Sequence, residues 1–203
     1  MEKQQKVWNK LYKNKSIEWK KETKEIPKIL KGKKVLEIGV GNGKTLASII
    51  KMKPKEIVAI DFSQEAVDIC KEKFPEVEVI CSDVKSMPFE DGKFEFVIIY
   101  FILDSLLDWE IEGAINEIYR VLKKGGRVLF QDFGEGDFRQ EGEELEKNTM
   151  LKKNGLVCHF FSEREVKRLF NHFNKEKVWE TKTYPISYKK HLVRHTVYGE
   201  FEK

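Results

Sequence analysis

The sequence lacks the features that would place it in several broad classes. Its three cysteines, Cys70, Cys81 and Cys158, include no C-x-x-C pair. That excludes a disulfide scaffold or a zinc ribbon and fits a reducing compartment. The longest apolar run, Phe96 to Leu103, falls far short of the ~20 residues a membrane helix needs. No apolar stretch follows the opening Met1-Glu2-Lys3-Gln4-Gln5, so no signal peptide is read there. A cytoplasmic protein without a membrane partner is expected. No internal repeat, low-complexity segment or linker divides the chain, and 203 residues suit a single domain spanning 1–203.

What is present is a globular composition with an uneven charge. Hydrophobic residues make up 40% and aromatics 12%, too apolar for a disordered tail. Residues 1–34 hold twelve lysines and four glutamates, with no Arg or Asp, for a net +8, whereas the remainder carries −4. All net basicity therefore lies in an N-terminal arm, residues 1–33. It reads either as a contact for phosphates or another polyanion, or as an amphipathic helix whose apolar side is Val7, Trp8, Leu11 and Tyr12.

From Lys34 onward, apolar strand-like runs alternate with helical patterns, which predicts an α/β fold with a parallel sheet. Strands are expected at Val35–Gly39, Glu56–Ile60, Val77–Cys81, Phe94–Tyr100 and Arg127–Phe133. Helices are expected at Lys44–Lys51, Gln64–Lys73 with Ser63 as N-cap, and Trp109–Leu122 closed by Lys123-Lys124-Gly125. The polar stretch 134–155 reads as a substrate-side loop insertion with at most one helix. Gly155 to Phe161 reads as extended. Ser162 and Glu165 form a capping box before a helix over Glu163–Phe173. Two alternating segments, Lys177–Thr183 and Leu192–Phe201, suit an antiparallel pair that closes the sheet.

The sharpest local signal is Glu37-Ile38-Gly39-Val40-Gly41-Asn42-Gly43, between a strand and a helix. Glycines there permit positive φ and close ligand approach, and the helix that follows offers free N–H groups to an anion. A tight turn without a ligand would use the same residues. Asp61 and Asp83 end the next two strands on the same sheet edge, where open α/β sheets bind ligands and where an acid can accept from ribose hydroxyls. In the dinucleotide fingerprint the last glycine packs helix on strand; here that slot is Lys44, which disfavours a nicotinamide cofactor.

Val35–Leu46, Asp61, Asp83 and Leu122–Val128, in that order, resemble the successive motifs of class I S-adenosyl-methionine-dependent methyltransferases. The resemblance implies a Rossmann-like, seven-stranded, mostly parallel sheet with helices on both faces and an antiparallel C-terminal strand. It implies S-adenosyl-methionine as cofactor and S-adenosyl-homocysteine as product. Carried over by position, Glu37 and the Gly39, Gly41 and Gly43 loop would hold the methionine part. Asp61, with Phe62 beside it, would hold the ribose hydroxyls, and Asp83 with the Val84 backbone the adenine. Tyr100 would face the transferable methyl.

Narrower motifs are similar to the METTL-type tRNA 3-methylcytidine methyltransferases. They are Phe101–Leu107, Asp132-Phe133-Gly134 followed by Asp137, Asn154-Gly155 leading to Phe160-Phe161-Ser162, Arg194–Phe201, and the opening around Trp8–Lys13. Gln131 and Val157 stand where that family commonly has arginines. The resemblance makes Asp132 and Asp137, with Tyr100, the candidate catalytic residues; Asp104, Arg139 and His159 are further substrate-side candidates. No metal is assigned, since His191 and His195 lie in an extended pattern. The absence of Asn-Pro-Pro-Tyr after the fourth strand and of a Pro-Cys pair argues against exocyclic-amine and C5-cytosine methylation. Three functions stand open. They are an RNA methyltransferase binding tRNA or other RNA through the arm, a small-molecule methyltransferase, and a non-catalytic cofactor-binding subunit that works with a helper protein. A basic groove continuous from residues 1–34 to Lys189, Lys190 and Arg194 would favour the first. A closed apolar pocket roofed by the arm would favour the second.

Overall fold

The computed structural model describes residues 2–14, 26–184 and 192–203. Lys189, Lys190 and His191, and the middle of the basic arm, lie outside the described residues.

Alternation along the strands decides the architecture. In β1 (Lys34–Ile38) and β4 (Phe94–Tyr100), Leu36, Ile38, Val97 and Ile99 point to one face, while Val35, Phe96 and Ile98 point to the other. Both sets are buried, so both faces need cover, as expected for strands in a parallel sheet. On the first face lie α4 (Asp108–Val121), through Ile111, Ala114, Ile115 and Ile118, and α5 (Glu163–Leu169), through Val166 and Leu169. On the other, α2 (Lys44–Lys51) contributes Ile49 beside Val35 and Ile98, and Leu46 beside Val67 and Cys70 of α3 (Gln64–Lys73).

The sheet contains β2 (Glu56–Asp61), β3 (Glu78–Cys81), β5 (Leu122–Phe133), β9 (Lys175–Thr183) and β10 (Arg194–Glu202) besides β1 and β4. Its seven strands run in the order β3-β2-β1-β4-β5-β10-β9. The first five are parallel, and β10 inserts antiparallel to both β5 and β9. The expected seven-stranded sheet with an antiparallel final strand is therefore present. Strand order reverses between β1 and β4, which opens a crevice at their carboxyl ends, where such folds bind ligands.

Strand ends shift from the sequence pattern by one or two residues, and three larger differences have a visible cause. The α4 helix stops at Val121 because Leu122 already pairs with Phe94, and the ladder resumes at Arg127 opposite Phe96. Lys123-Lys124-Gly125 thus form a bulge, with the Gly125 N–H donating to the Lys203 carbonyl, rather than a helix cap. The α5 helix ends at Leu169, where Phe170 leaves to stack on Phe201 at 3.9 Å between ring centroids. The 134–155 insertion is not merely a loop. β6 (Glu143–Glu146) and β7 (Thr149–Leu151) form a hairpin there, and β8 (Val157–His159) completes a three-stranded antiparallel sheet. Asn148, at φ 61°, makes its turn.

Candidate cofactor and acceptor site

Strand β1 delivers the chain into the glycine loop at the crevice. The N–H groups of Gly39 and Val40 donate to the Ile60 carbonyl at 2.7 and 3.0 Å, which ties the loop to β2. Gly39 (φ 76°) and Gly41 (φ 55°) adopt the left-handed backbone that favours glycine. There is also no room for a side chain. A Cβ on Gly39 would fall 1.7 Å from Ile102 Cδ1, and one on Gly41 2.9 Å from the Tyr12 hydroxyl. Gly43 is the N-cap of α2.

Asp61, the last residue of β2, fixes the loop from the opposite side. Its Oδ2 accepts from the Gly41 N–H and its Oδ1 from the Ser63 N–H, both at 2.9 Å. Ser63 in turn caps α3. Burial pushes the Asp61 carboxyl up to about 6, against the pull of these backbone donors. Each carboxylate oxygen retains capacity for a further hydrogen bond. Glu37 lies behind the loop, 2% exposed, with Oε2 lacking a hydrogen-bond partner among the described residues. Burial and the Asp61 charge push it well above the usual carboxylate range.

The crevice holds a cavity of about 230 Å³. Gly39, Gly41, Asp61, Phe62, Asp83, Val84 and Tyr100 all line it, so seven of the nine sequence-derived cofactor residues share one wall system. Asp83 Oδ1 accepts from the Lys85 N–H at 2.9 Å, which aligns the carboxylate at the cavity edge. The α1 helix (Glu2–Lys13) forms the roof. Gln4, Trp8 and Tyr12 line the cavity from above, with Trp8 and Tyr12 stacked at 5.8 Å. On one side the roof is tied by Gln5 Nε2 to the Phe62 carbonyl (2.6 Å) and by Ser63 Oγ to Asn9 Oδ1 (2.6 Å). On the other side Gln4 donates to the Gly155 carbonyl (2.9 Å) and accepts from the Val157 N–H (3.3 Å).

Comparison with known proteins gives this geometry its context. Residues 35–126 match the family model described as a methyltransferase domain. The human tRNA N(3)-cytidine methyltransferase METTL2B is 29% identical over 160 residues, covering 71% of this chain and 42% of the relative. The chain carries a class I S-adenosyl-methionine-dependent methyltransferase domain. It spans less than half the length of that relative and of the chicken METTL2 (29% identical over 160 residues, 71% of this chain and 43% of the relative). Two solved structures share the fold. A SAM-dependent methyltransferase from Methanosarcina mazei has a TM-score of 0.71 at 21% identity, covering 84% of this chain and 92% of that one. The 1,6-didemethyltoxoflavin-N1-methyltransferase of Burkholderia thailandensis, solved with bound 1,6-didemethyltoxoflavin and S-adenosylhomocysteine, has a TM-score of 0.72 at 17% identity, covering 98% of this chain and 86% of that one.

S-adenosyl-methionine is the cofactor of this class, and the residues present fit it. The loop is a cradle that a Cβ would fill, Asp61 offers carboxylate oxygens at the cavity wall, and the buried Trp8 Nε1 lacks a hydrogen-bond partner among the described residues. The residues expected on the cofactor side thus gather around one cavity. The acceptor half is less direct. Tyr100 lines the cavity as expected, but Asp132 and Asp137 are not among its lining residues. Asp132 is fully buried. Its Oδ1 accepts from the Phe133 N–H and its Oδ2 from the Asp104 N–H, so it positions the segment after β4. Asp137 accepts from Arg139 and from the His195 N–H, which locks the insertion to β10. Burial raises the Asp137 carboxyl, but these donors outweigh it and hold it low.

Asp104, against Asp132, is 7% exposed, and its Oδ1 has no partner among the described residues. Burial pushes its carboxyl up to about 6; burial and the Asp104 charge push Asp132 well up. Arg139 lies over the Phe133 ring at 3.9 Å, and His159 is buried against Thr149. None of Asp104, Arg139 and His159 lines the cavity. Sequence reasoning missed Gln4 and Ile102 as cavity residues. Nothing local marks Gln4, because its partners lie more than 150 residues away.

Proposed function

We propose that this methyltransferase domain transfers the methyl group of S-adenosyl-methionine to a ring nitrogen of a heterocyclic base, with cytidine N3 in RNA as the first candidate. The observation that carries the choice of nitrogen is the engagement of the cavity's acids. The wall contains no histidine or cysteine among the described residues. Asp61 accepts a backbone donor on each oxygen and has its remaining capacity assigned to the ribose, and Lys85 pairs with both Asp83 and Glu110. A wall without a poised general base suits an acceptor that brings its own lone pair, whereas an alcohol or carbon acid needs its proton removed.

Bound S-adenosyl-methionine supplies a methyl on a sulfonium, ready for in-line displacement. The chain's own contribution is orientation, worth roughly 7–11 kcal/mol in well-aligned systems. Asp61 would hold the ribose, Asp83 and Val84 the adenine, and the Gly39–Gly43 loop the methionine part. Tyr100 and Phe101 would bound the acceptor end, and α1 excludes water from above. Similarity to tRNA N(3)-cytidine methyltransferases supports RNA as the acceptor. So does the exposed outer face of α1, where Lys3, Lys6, Lys10 and Lys13 recur at helical spacing.

The roof itself favours a second reading, a free heterocycle, since Trp8 and Tyr12 close over an apolar-walled cavity. Transfer of labelled methyl from S-adenosyl-methionine into a cell extract, fractionated into RNA, protein and small molecules, separates the two. Label recovered as 3-methylcytidine after nucleoside digestion is the expected result. Label confined to small molecules would overturn the RNA reading and leave nitrogen methylation of a free base.

A further inference from the structure

Away from the cofactor cavity, three metal-ligating side chains from three elements meet at one point. Asp108 opens α4, His159 closes β8, and Glu165 sits in the first turn of α5, where Ser162 caps the helix. One ligand atom from each lies within 4.8 Å of the others.

His159 is the decisive member. It is 1% exposed, with its ring packed on Phe161 at 4.4 Å. Its Nδ1 lies 2.7 Å from Thr149 Oγ1, the residue directly opposite across the β7–β8 pair. Its Nε2 is buried and makes no hydrogen bond among the described residues, although Glu165 Oε1 is 3.2 Å away. That oxygen therefore lies off the ring's hydrogen-bonding direction, which leaves Nε2 unmet among the described residues. Such a buried ring nitrogen is costly unless something meets it.

Charge points to what that is. Asp108 Oδ1 lies 3.7 Å from Nδ1, and its side chain is 55% exposed with room to turn toward Nε2, while its backbone N–H donates to Glu146. Asp108 and Glu165 thus flank one imidazole, with Glu146 adding a further negative charge beside Asp108. Arg168, the cation facing Asp108, is already paired with Glu112 at 3.1 Å. We propose that Asp108, His159 and Glu165 bind one divalent ion of the zinc class. The 3.2 Å between Nε2 and Glu165 Oε1 is close to the edge of roughly 3.3 Å spanned by two ligands at 2.0–2.1 Å in a tetrahedral site. Thr149 supplies the outer partner that fixes a ligating histidine's orientation. One imidazole with two carboxylates suits zinc over magnesium or calcium, which prefer oxygen alone. Exposed Asp108 is the entry side. An ion there would staple α4, α5 and the small sheet together at the acceptor end of the domain, independently of the cofactor.

Titration of the chelator-stripped full chain with Zn2+ by calorimetry, and with Co2+ by visible absorption, tests this. One equivalent of either ion is expected, undisturbed by millimolar Mg2+. His159→Gln should weaken Zn2+ binding by about 100-fold or more, and Thr149→Val by about 10–100-fold, the usual effect of losing such an outer partner. Should His159→Gln not fold, Glu165→Gln and Asp108→Asn, both on helix first turns at the surface side, carry the test with the same expected weakening. Absence of saturable binding to the wild-type chain, or affinity unchanged across the variants, would overturn the site.

Discussion

The two walls of the cavity are built by different physics. The cofactor wall is made of chain ends. β1, β2 and β3 finish at one sheet edge, and backbone N–H groups of Gly39, Gly41 and Ser63 fix the loop to Ile60 and Asp61 within about twenty-five residues of sequence. The roof, and the segments that brace the acceptor side from behind the cavity lining, are held by contacts over long distances, such as Gln4 with Val157, Asp104 with Cys158 and Asp137 with His195. Where position follows from backbone geometry, the same few residue types must recur at fixed spacing. Where it follows from side-chain meetings, many sequences serve.

The largest effect is expected where one side chain carries the cofactor wall. Asp61→Ala should weaken S-adenosyl-methionine binding on the order of 100-fold, given ~1.5–3 kcal/mol for each hydrogen bond to a charged group, read by calorimetry. The folded pKa of about 6 lies above the ordinary 3.8, so below pH 6 the carboxyl is protonated and loses acceptor capacity. Cofactor affinity should therefore fall as pH drops through 6, and that dependence should flatten in Asp61→Asn. Unchanged affinity in Asp61→Ala would remove Asp61 from the cofactor wall and with it one side of the comparison.

On the acceptor side the expected effect is smaller and of opposite sign. Asp104 is buried with an unpartnered Oδ1 beside Asp132, and its pKa near 6 again exceeds the unfolded value. The folded chain thus holds this proton more tightly than the unfolded one. The resulting penalty grows as pH rises from about 4 to 6 and is complete above it. Asp104→Asn should then raise stability by about 1–3 kcal/mol at pH 7.5 and by little at pH 4, measured as thermal midpoints at both values. Equal shifts at both pH values would mean that Asp104 is not a strained acid but ordinary packing.

The same contrast explains what the sequence disclosed. Strands alternating with helices, the glycine loop and the two strand-end acids each carry a local signature, and the observed α2 and α3 bounds match the expected ones residue for residue. The three-stranded sheet of the insertion was hidden. Glu143–Glu146 is an all-but-charged strand, and its pairing with Thr149–Leu151, and theirs with Val157–His159, is a tertiary choice rather than a periodicity. Asp132 and Asp137, singled out by family resemblance, sit where they brace the acceptor segments from behind. A residue's place in a motif says that its position matters, and only the fold says which neighbour it serves.

The roof offers the finest test, because it joins the two walls. The inner face of α1 is seated by Trp8 and Tyr12, while Gln4 hydrogen-bonds to Gly155 and Val157 on the acceptor side. Its two half-buried hydrogen bonds are each worth roughly 0.5–1.5 kcal/mol. Gln4→Ala should therefore ease local opening of α1 by about 1–2 kcal/mol, a rise of roughly 5–30-fold in amide exchange along the helix with little change in the thermal midpoint of the body. Cofactor release should quicken in step, since the helix that opens is the one covering the cavity. If exchange in α1 stays at the wild-type rate, the aromatic pair seats the roof unaided, and the link from Gln4 to the insertion has no part in closing the site.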